Sequence, residues 1–280
     1  MTAIHWLGEE PCHEEALVGA KAANLSRLAD VHRVPPGFAI AALPVREYDI
    51  LDGLGARIRE AYQELGRRCS TAKPAVAVRS SAIGEDGGDA SFAGQHDTFL
   101  NVRGADALLD AVRRCVSSAS SREALAYRQR HGLAVDDARM AVLVQELVPS
   151  EVSAVAFSAN PITGDRGEIM INASWGLGES IVGGMTTPDT FIVERDSLRV
   201  LARHVARKTR MTVMTPDGTT ERDVPKDLQT RPSLADDQIQ EIAHLAVSLE
   251  RASGRPVDVE CAIARSTLYL LQCRPITTLE

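Results

Sequence analysis

The sequence predicts an α+β fold made in two parts. Apolar residues recur with helical and with strand periodicity, in mixed order, along the 280 residues. A waist at Pro149-Ser150 divides residues 1–149 from residues 150–280. The sharpest local pattern is Pro256–Thr277, two apolar runs around a short polar break, which is a β-hairpin signal.

The elements follow in order. Residues 15–30 carry a helical stripe of Ala22, Leu25 and Leu28/Ala29, with Lys21 just after Gly19. Val34-Pro35-Pro36-Gly37-Phe38 turns the chain into a short strand. Residues 44–66 read as a helix, Pro44 fitting a first helical turn and Gly66 the exit. Pro74–Ser80 is a strand that delivers Arg79 near its end, and Thr98–Val102 is another. Between them lies a segment of Ser, Gly, Asp and Ala, too polar and too small for regular structure. Residues 105–131 read as one or two helices with Leu108, Val112 and Val116 on one stripe. Met140–Val148 is an apolar strand broken only by Gln145-Glu146, and Val152–Ala159 and Glu168–Trp175 are further strands. A glycine-rich loop covers Trp175–Gly184, and Thr190–Glu194 with Arg199–Arg207 forms a second hairpin. Residues 211–233 are poorly patterned and read as surface excursions. Residues 235–252 form a helix with Ile239, Ile242, Leu245, Ala246 and Leu249 inward.

The terminal hairpin has a predicted register. A three-residue loop, Arg265–Thr267, would pair Ala264 with Leu268, Glu260 with Gln272 and Asp258 with Arg274. Period-two alternation then gathers those two carboxylates, one amide and one guanidinium on one face. Val257, Val259, Cys261, Ile263, Tyr269, Leu271 and Cys273 form the core face behind them. A cation with phosphate oxygens would account for that polar face. So would a solvated surface with a cross-strand ion pair. The hairpin alone leaves the two readings level.

Composition narrows the classes. Apolar content of 44%, charged content of 25% and a net charge of −7 describe an ordinary globular chain without a nucleic-acid surface. No apolar run reaches the roughly 20 residues that span a bilayer. The N-terminus, M-T-A-I-H-W-L-G-E-E, lacks the pattern of a signal peptide, so a cytoplasmic location is expected. Five cysteines without a CxxC pair read as reduced thiols, Cys261 and Cys273 as buried ones, and no zinc site is expected. Seven histidines (His5, His13, His32, His96, His131, His204, His244) show no metal-ligand spacing.

Among the motifs, small residues over Asp89–Gln95 would let backbone N–H groups approach a phosphate, with Arg79 supplying charge. A plain surface loop is the alternative, against which Phe92 stands, because an exposed Phe needs a partner; His96 adjoins this loop. W-G-L-G-E at Trp175–Glu179 fails as a dinucleotide fingerprint, since Ile181 takes the third glycine position. Walker, G-x-S-x-G and H-E-x-x-H motifs are absent.

Four segments together resemble the N-terminal ATP-binding domain shared by phosphoenolpyruvate synthase, pyruvate phosphate dikinase and rifampicin phosphotransferase. They are G-A-K-A-A-N-L-S-R-L with V-P-P-G-F; V-A-V-R-S-S-A through D-A-S-F-A-G-Q with D-T-F-L-N-V; V-Q-E-L-V through A-N-P-I-T-G and A-S-W-G-L-G-E-S-I-V-G-G; and D-V-E-C-A-I with L-Y-L-L-Q-C-R-P-I-T. They run nearly end to end and in family order. The resemblance implies an ATP-grasp-like fold, two lobes with the nucleotide cleft between them. It implies Lys21, Arg79 and Arg274 as the catalytic cations on the phosphates, Arg274 at the transferring group. Ser91, Phe92, Ala93, Gly94 and Gln95 would close over the phosphates, and Gln145, Glu146, Leu147 and Val148 would form the adenine hinge. Glu179 and Asp258 join the nucleotide contacts. Glu260 and Gln272 would ligate Mg²⁺, whose preference for oxygen donors they suit. Ile83 departs from the usual Thr of S-S-A-T, and His96 from a Gln that often follows F-A-G-Q; neither removes a charged ligand.

Family members continue into a swivelling domain with a phosphorylated histidine and then an acceptor domain. The expectation is therefore a stand-alone phosphotransferase domain that binds Mg-ATP and passes a phosphoryl group to a histidine on a separate partner protein carrying those domains. Direct phosphorylation of a small molecule is the first alternative. A non-catalytic ATP-binding regulatory module is the second, and the intact charged set argues against it.

Overall fold

The structure, a computed structural model, describes residues 4–44, 49–83, 98–118 and 139–277. It is mixed α+β, as expected, and its contacts divide it into two units, Met1–Leu147 and Val148–Glu280.

The first unit is built on an antiparallel five-stranded sheet. Its strands are β1 (Ile4–Trp6), β2 (Gly37–Pro44), β3 (Val76–Ala82), β4 (Thr98–Val102) and β5 (Arg139–Glu146), in the order β1-β2-β5-β3-β4. One face buries Phe38, Ile40, Val76, Val78, Val142 and Val144 against helices α2 (Asp49–Arg68) and α3 (Ala105–Ser118). The predicted α3 stripe of Leu108, Val112 and Val116 is what it inserts. Helix α1 (Glu15–Leu28) is rich in small residues and packs against β2, β3 and β5 outside that cluster. The short strand β1 is absent from the sequence reading; three residues leave too little periodicity to detect. The expected helix over 44–66 is shifted. Pro44 closes β2, where it faces Arg139 at the ladder's end, and the helix continues past Gly66 to Arg68.

The second unit carries an antiparallel six-stranded sheet and one long helix. The strands are β6 (Val152–Phe157), β7 (Glu168–Trp175), β8 (Asp189–Glu194), β9 (Val200–His204), β12 (Val257–Ala264) and β13 (Thr267–Pro275), ordered β13-β12-β6-β7-β8-β9. A four-residue helix, α4 (Glu179–Val182), interrupts the glycine-rich loop. Helix α5 (Asp236–Ser253) buries all five residues predicted to face inward. The cross-strand row Val259, Ala156, Ile171, Phe191 is wholly buried. One residue along, Glu260, Val155, Asn172 and Thr190 face the opposite way and are only half-buried.

The region 211–233 corrects the sequence reading. Two strands, β10 (Arg210–Thr215) and β11 (Gly218–Asp223), form a hairpin there, with Pro216-Asp217 as its turn. It belongs to an excursion tied down by a fully buried ion pair, Lys208 Nζ to Asp189 Oδ1 at 2.5 Å. Every other lone pair of that carboxylate in use is matched: Ala206 N donates to Oδ1, and Ser233 N and Oγ donate to Oδ2. Removing one partner of a buried pair strands the other charge, so Lys208→Met should destabilise the unit by about 3–5 kcal/mol. Urea denaturation would measure it, and adding Asp189→Asn to that variant should recover part of the loss.

Candidate functional site

Within the second unit, the site starts from the β12–β13 hairpin. The loop has two residues, not three: Ala264 pairs with Thr267, and Arg265 and Ser266 both take positive φ, at 50° and 58°. By itself that register would put Glu260 and Gln272 on opposite faces. A β-bulge between Glu260 and Cys261 makes up the difference, because Leu271 is inserted between Leu270, which opposes Cys261, and Gln272. Beyond the bulge, Glu260 stands opposite Gln272 and Asp258 opposite Arg274, as the sequence reading had them. The core face is corrected by the same shift. Leu270 is the buried partner of Cys261, while Tyr269 and Leu271 lie with Val148, Ala262 and Ala264 in a small cluster on the other side.

The electrostatics of this face centre on Asp258. Arg274 donates to Asp258 Oδ2 from Nε at 2.8 Å, and its Nη2 lies 2.7 Å from the same oxygen. Asp258 Oδ1 is buried and has no hydrogen-bond partner. Burial pushes the Asp258 carboxyl above its ordinary pKa, Arg274 opposes that, and the nearby charge of Glu260 adds to it. A buried lone pair without a donor is costly in a folded chain and marks a place where a cation or donor fits. Gln272 is buried and Glu260 half-buried beside it. Among the described residues no group of three His, Cys, Asp or Glu is spaced to hold a metal; this donor set contains an amide instead.

Within the first unit, a glycine seats the helix that carries Lys21 against the strand that carries Arg79. Gly19 interrupts α1 at φ 75°, and a Cβ there would lie 2.1 Å from Ser81 O, so only glycine lets the helix start against the end of β3. Ala22 N donates to Ser81 Oγ at 3.2 Å and Lys21 Nζ to Ser80 O at 3.4 Å. Arg79, half-buried, precedes those two serines on β3. Ser80 and Ser81 therefore join the helix turn of Lys21 to the end of the strand that carries Arg79. Their place directly after Arg79 in R-S-S was the signal available in the sequence.

The predicted hinge divides in its roles. Gln145 is buried and its Nε2 donates to Pro35 O, so that amide is committed to the fold. Glu146 lies beside Cys69; burial raises its carboxyl pKa, and the same burial together with Glu146 pushes the Cys69 thiol up to about 12. Leu147 N donates to Ala75 O, and Val148 belongs to the second unit's small cluster. Glu179 is exposed in the first turn of α4 and is not among the residues of the hairpin face. The turn before it is fixed by Gly176, where a Cβ would lie 2.3 Å from Thr212 O. Ser91, Phe92, Ala93, Gly94 and Gln95, with His96, lie outside the described residues. All five cysteines are free thiols, four of them buried, Cys261 and Cys273 included.

Glu146 gives a pH test. A carboxyl that holds its proton more tightly when folded loses folding stability as pH rises through its ordinary value towards the raised one. Glu146→Gln should therefore raise the urea midpoint near neutral pH, and the gain should vanish below about pH 4, where the carboxyl is neutral in both states.

The chain matches the family described as pyruvate phosphate dikinase, AMP/ATP-binding domain, over residues 45–280. It is 36% identical to a probable phosphoenolpyruvate synthase of Methanocaldococcus jannaschii, over all of this chain and 27% of that protein. It is 40% identical to a phosphoenolpyruvate synthase of Pyrococcus furiosus, over 84% of this chain and 30% of that one. An uncharacterized phosphotransferase of Bacillus subtilis, YvkC, is 38% identical over 80% of this chain and 26% of its own length. The chain thus spans between a quarter and a third of the length of these relatives. On this match, the chain belongs to the pyruvate phosphate dikinase AMP/ATP-binding domain family.

Proposed function

We propose that this chain is the ATP-binding part of an ATP-dependent phosphotransferase, with an ATP-grasp-like arrangement in which residues 1–149 and 150–280 are the two lobes. The observation that carries the reading is the hairpin face: Asp258–Arg274 and Glu260–Gln272 stand side by side, with one buried oxygen of Asp258 unmatched. That orphaned acceptor and the all-oxygen donors fit Mg²⁺. Glu260 and Gln272 would hold the ion with Asp258 beside them, and when bound it neutralises phosphate charge.

This chain's own residues have the remaining tasks. Asp258 clamps the Arg274 guanidinium by two donors on one oxygen, which fixes where its positive charge lies. Arg274 then stabilises the charge that develops on the transferring phosphoryl group. Lys21, on the helix seated by Gly19 against Ser81, and Arg79, on the strand that leads into Ser81, bind and orient the phosphates. Gln145 to Val148 and the segment Ser91–Gln95 complete the nucleotide contacts in this reading, with Glu179 at the first turn of α4. The acceptor is a histidine on a separate partner protein bearing the phosphohistidine domain, and the setting is cytoplasmic. No described helix is long and apolar enough to cross a membrane.

Two experiments test this. Incubation with β- and γ-labelled ATP, with and without a phosphohistidine-bearing protein, should yield labelled acceptor only when that protein is present. The co-product is ADP if the γ-phosphoryl group alone moves, or AMP if the pyrophosphoryl group moves to the histidine and its γ-phosphate is then released to water as orthophosphate. Acceptor-independent release of ADP would favour direct transfer to a small molecule or water. Arg274→Gln should lower turnover by at least about a hundredfold, the scale of one lost transition-state donor, while Mg-ATP affinity changes little. A fully active variant would refute the role of Arg274. Arg274→Ala should act alike on turnover but also lose stability, because Asp258 would be left buried and alone.

A further inference from the structure

The half-buried face of the second sheet extends past the hairpin. In strand-to-strand register, Gln272 faces Glu260, Glu260 faces Val155, Val155 faces Asn172 and Asn172 faces Thr190. Directly paired residues point to the same side of a sheet, so this is one continuous row. At about 4.8 Å per strand, Asn172 stands roughly 10 Å from Glu260. The residue between them is Val155, half-buried and without a polar group, so Glu260 and Asn172 are the polar side chains flanking it in this row.

Asn172 is out of place on propensity alone. It sits in β7, an interior strand whose sequence after Glu168 is otherwise apolar or small at I-M-I-N-A-S-W, and asparagine is depleted in strands. Its orientation is set from the far side. Thr190 Oγ1 donates to Asn172 Oδ1 at 2.9 Å, which turns the carbonyl end towards β8. In a planar amide the NH₂ group then points away from β8, and among the described residues it makes no hydrogen bond.

We infer that Asn172 is a further phosphate-contacting residue of this face, its Nδ2 donating to a polyphosphate oxygen, and that Thr190 is a positioning residue which aims it. The inference rests on the proposed nucleotide reading of the same face. It adds a neutral donor on β7 to the charged and metal-binding groups on β12 and β13. A neutral donor adds directionality without adding charge, which complements the Arg274 guanidinium. A merely structural Asn–Thr pair would contribute to stability and nothing else.

The test separates those roles by calorimetry on the full chain with Mg-ATP and, separately, AMP. Asn172→Asp keeps the acceptor for Thr190 and replaces the donor with a charge. It should weaken Mg-ATP binding by about tenfold or more while AMP binding changes less than about twofold. Asn172→Ala, which removes the donor without adding charge, should weaken Mg-ATP in the same direction by a smaller factor. Thr190→Val should cost Mg-ATP affinity by a few-fold, and Thr190→Ser, which keeps the hydroxyl, should restore it. Wild-type Mg-ATP affinity in Asn172→Asp or Asn172→Ala, or equal losses for Mg-ATP and AMP, would overturn the inference while leaving the nucleotide reading intact. A wild-type chain that binds no Mg-ATP would overturn both.

Discussion

The register of the last two strands is the constraint on which the candidate chemistry depends. Side chains alternate along a strand, so a slip of one residue would exchange the polar face of β12–β13 for its apolar one. Two local features hold the register jointly. A two-residue turn with both residues at positive φ fixes the end of the hairpin. A bulge that spends Leu271 then brings Gln272 and Arg274 back into step with Glu260 and Asp258. Neither feature alone gives the observed face.

Much of this was legible in advance, and the failures have physical causes. Alternation in D-V-E and Q-C-R located the four polar residues on one side, because each triplet keeps its own parity. The number of residues between the two triplets is also fixed. How those residues divide between turn and bulge is not encoded by periodicity, so alternation alone predicts neither the two-residue turn nor the faces taken by Tyr269 and Leu271. Arg79 was recognisable at the end of an apolar strand, and Lys21 beside a glycine. That Gly19 lies against Ser81, far away in sequence, depends on a tertiary approach that no local pattern reports. The hairpin of β10 and β11 was hidden by its exposed, mixed residues, although T-P-D-G carried a turn signal.

The second unit also shows two ways of treating buried charge. Asp189 is completely buried, yet Lys208, Ala206 and Ser233 supply it with donors, so its role is to fasten an excursion to the sheet. Asp258 is nearly as buried and keeps one oxygen without a donor. The contrast is informative because both carboxylates lie on strands of the same sheet. A fully satisfied carboxylate is architecture, whereas one left half-satisfied is poised for something outside the fold.

The position of β13 in the sheet has a further consequence. Among the described residues it ends the strand order of the sheet, and its ladder partner there is β12. Gln272 and Arg274 are thus carried by a strand whose ladder with β12 is interrupted at Leu271. Glu260 and Asp258, on β12, are held from both sides. A ligand that engages both strands at once acts as a rung across the ladder, so its binding free energy and the ordering of that edge are thermodynamically linked.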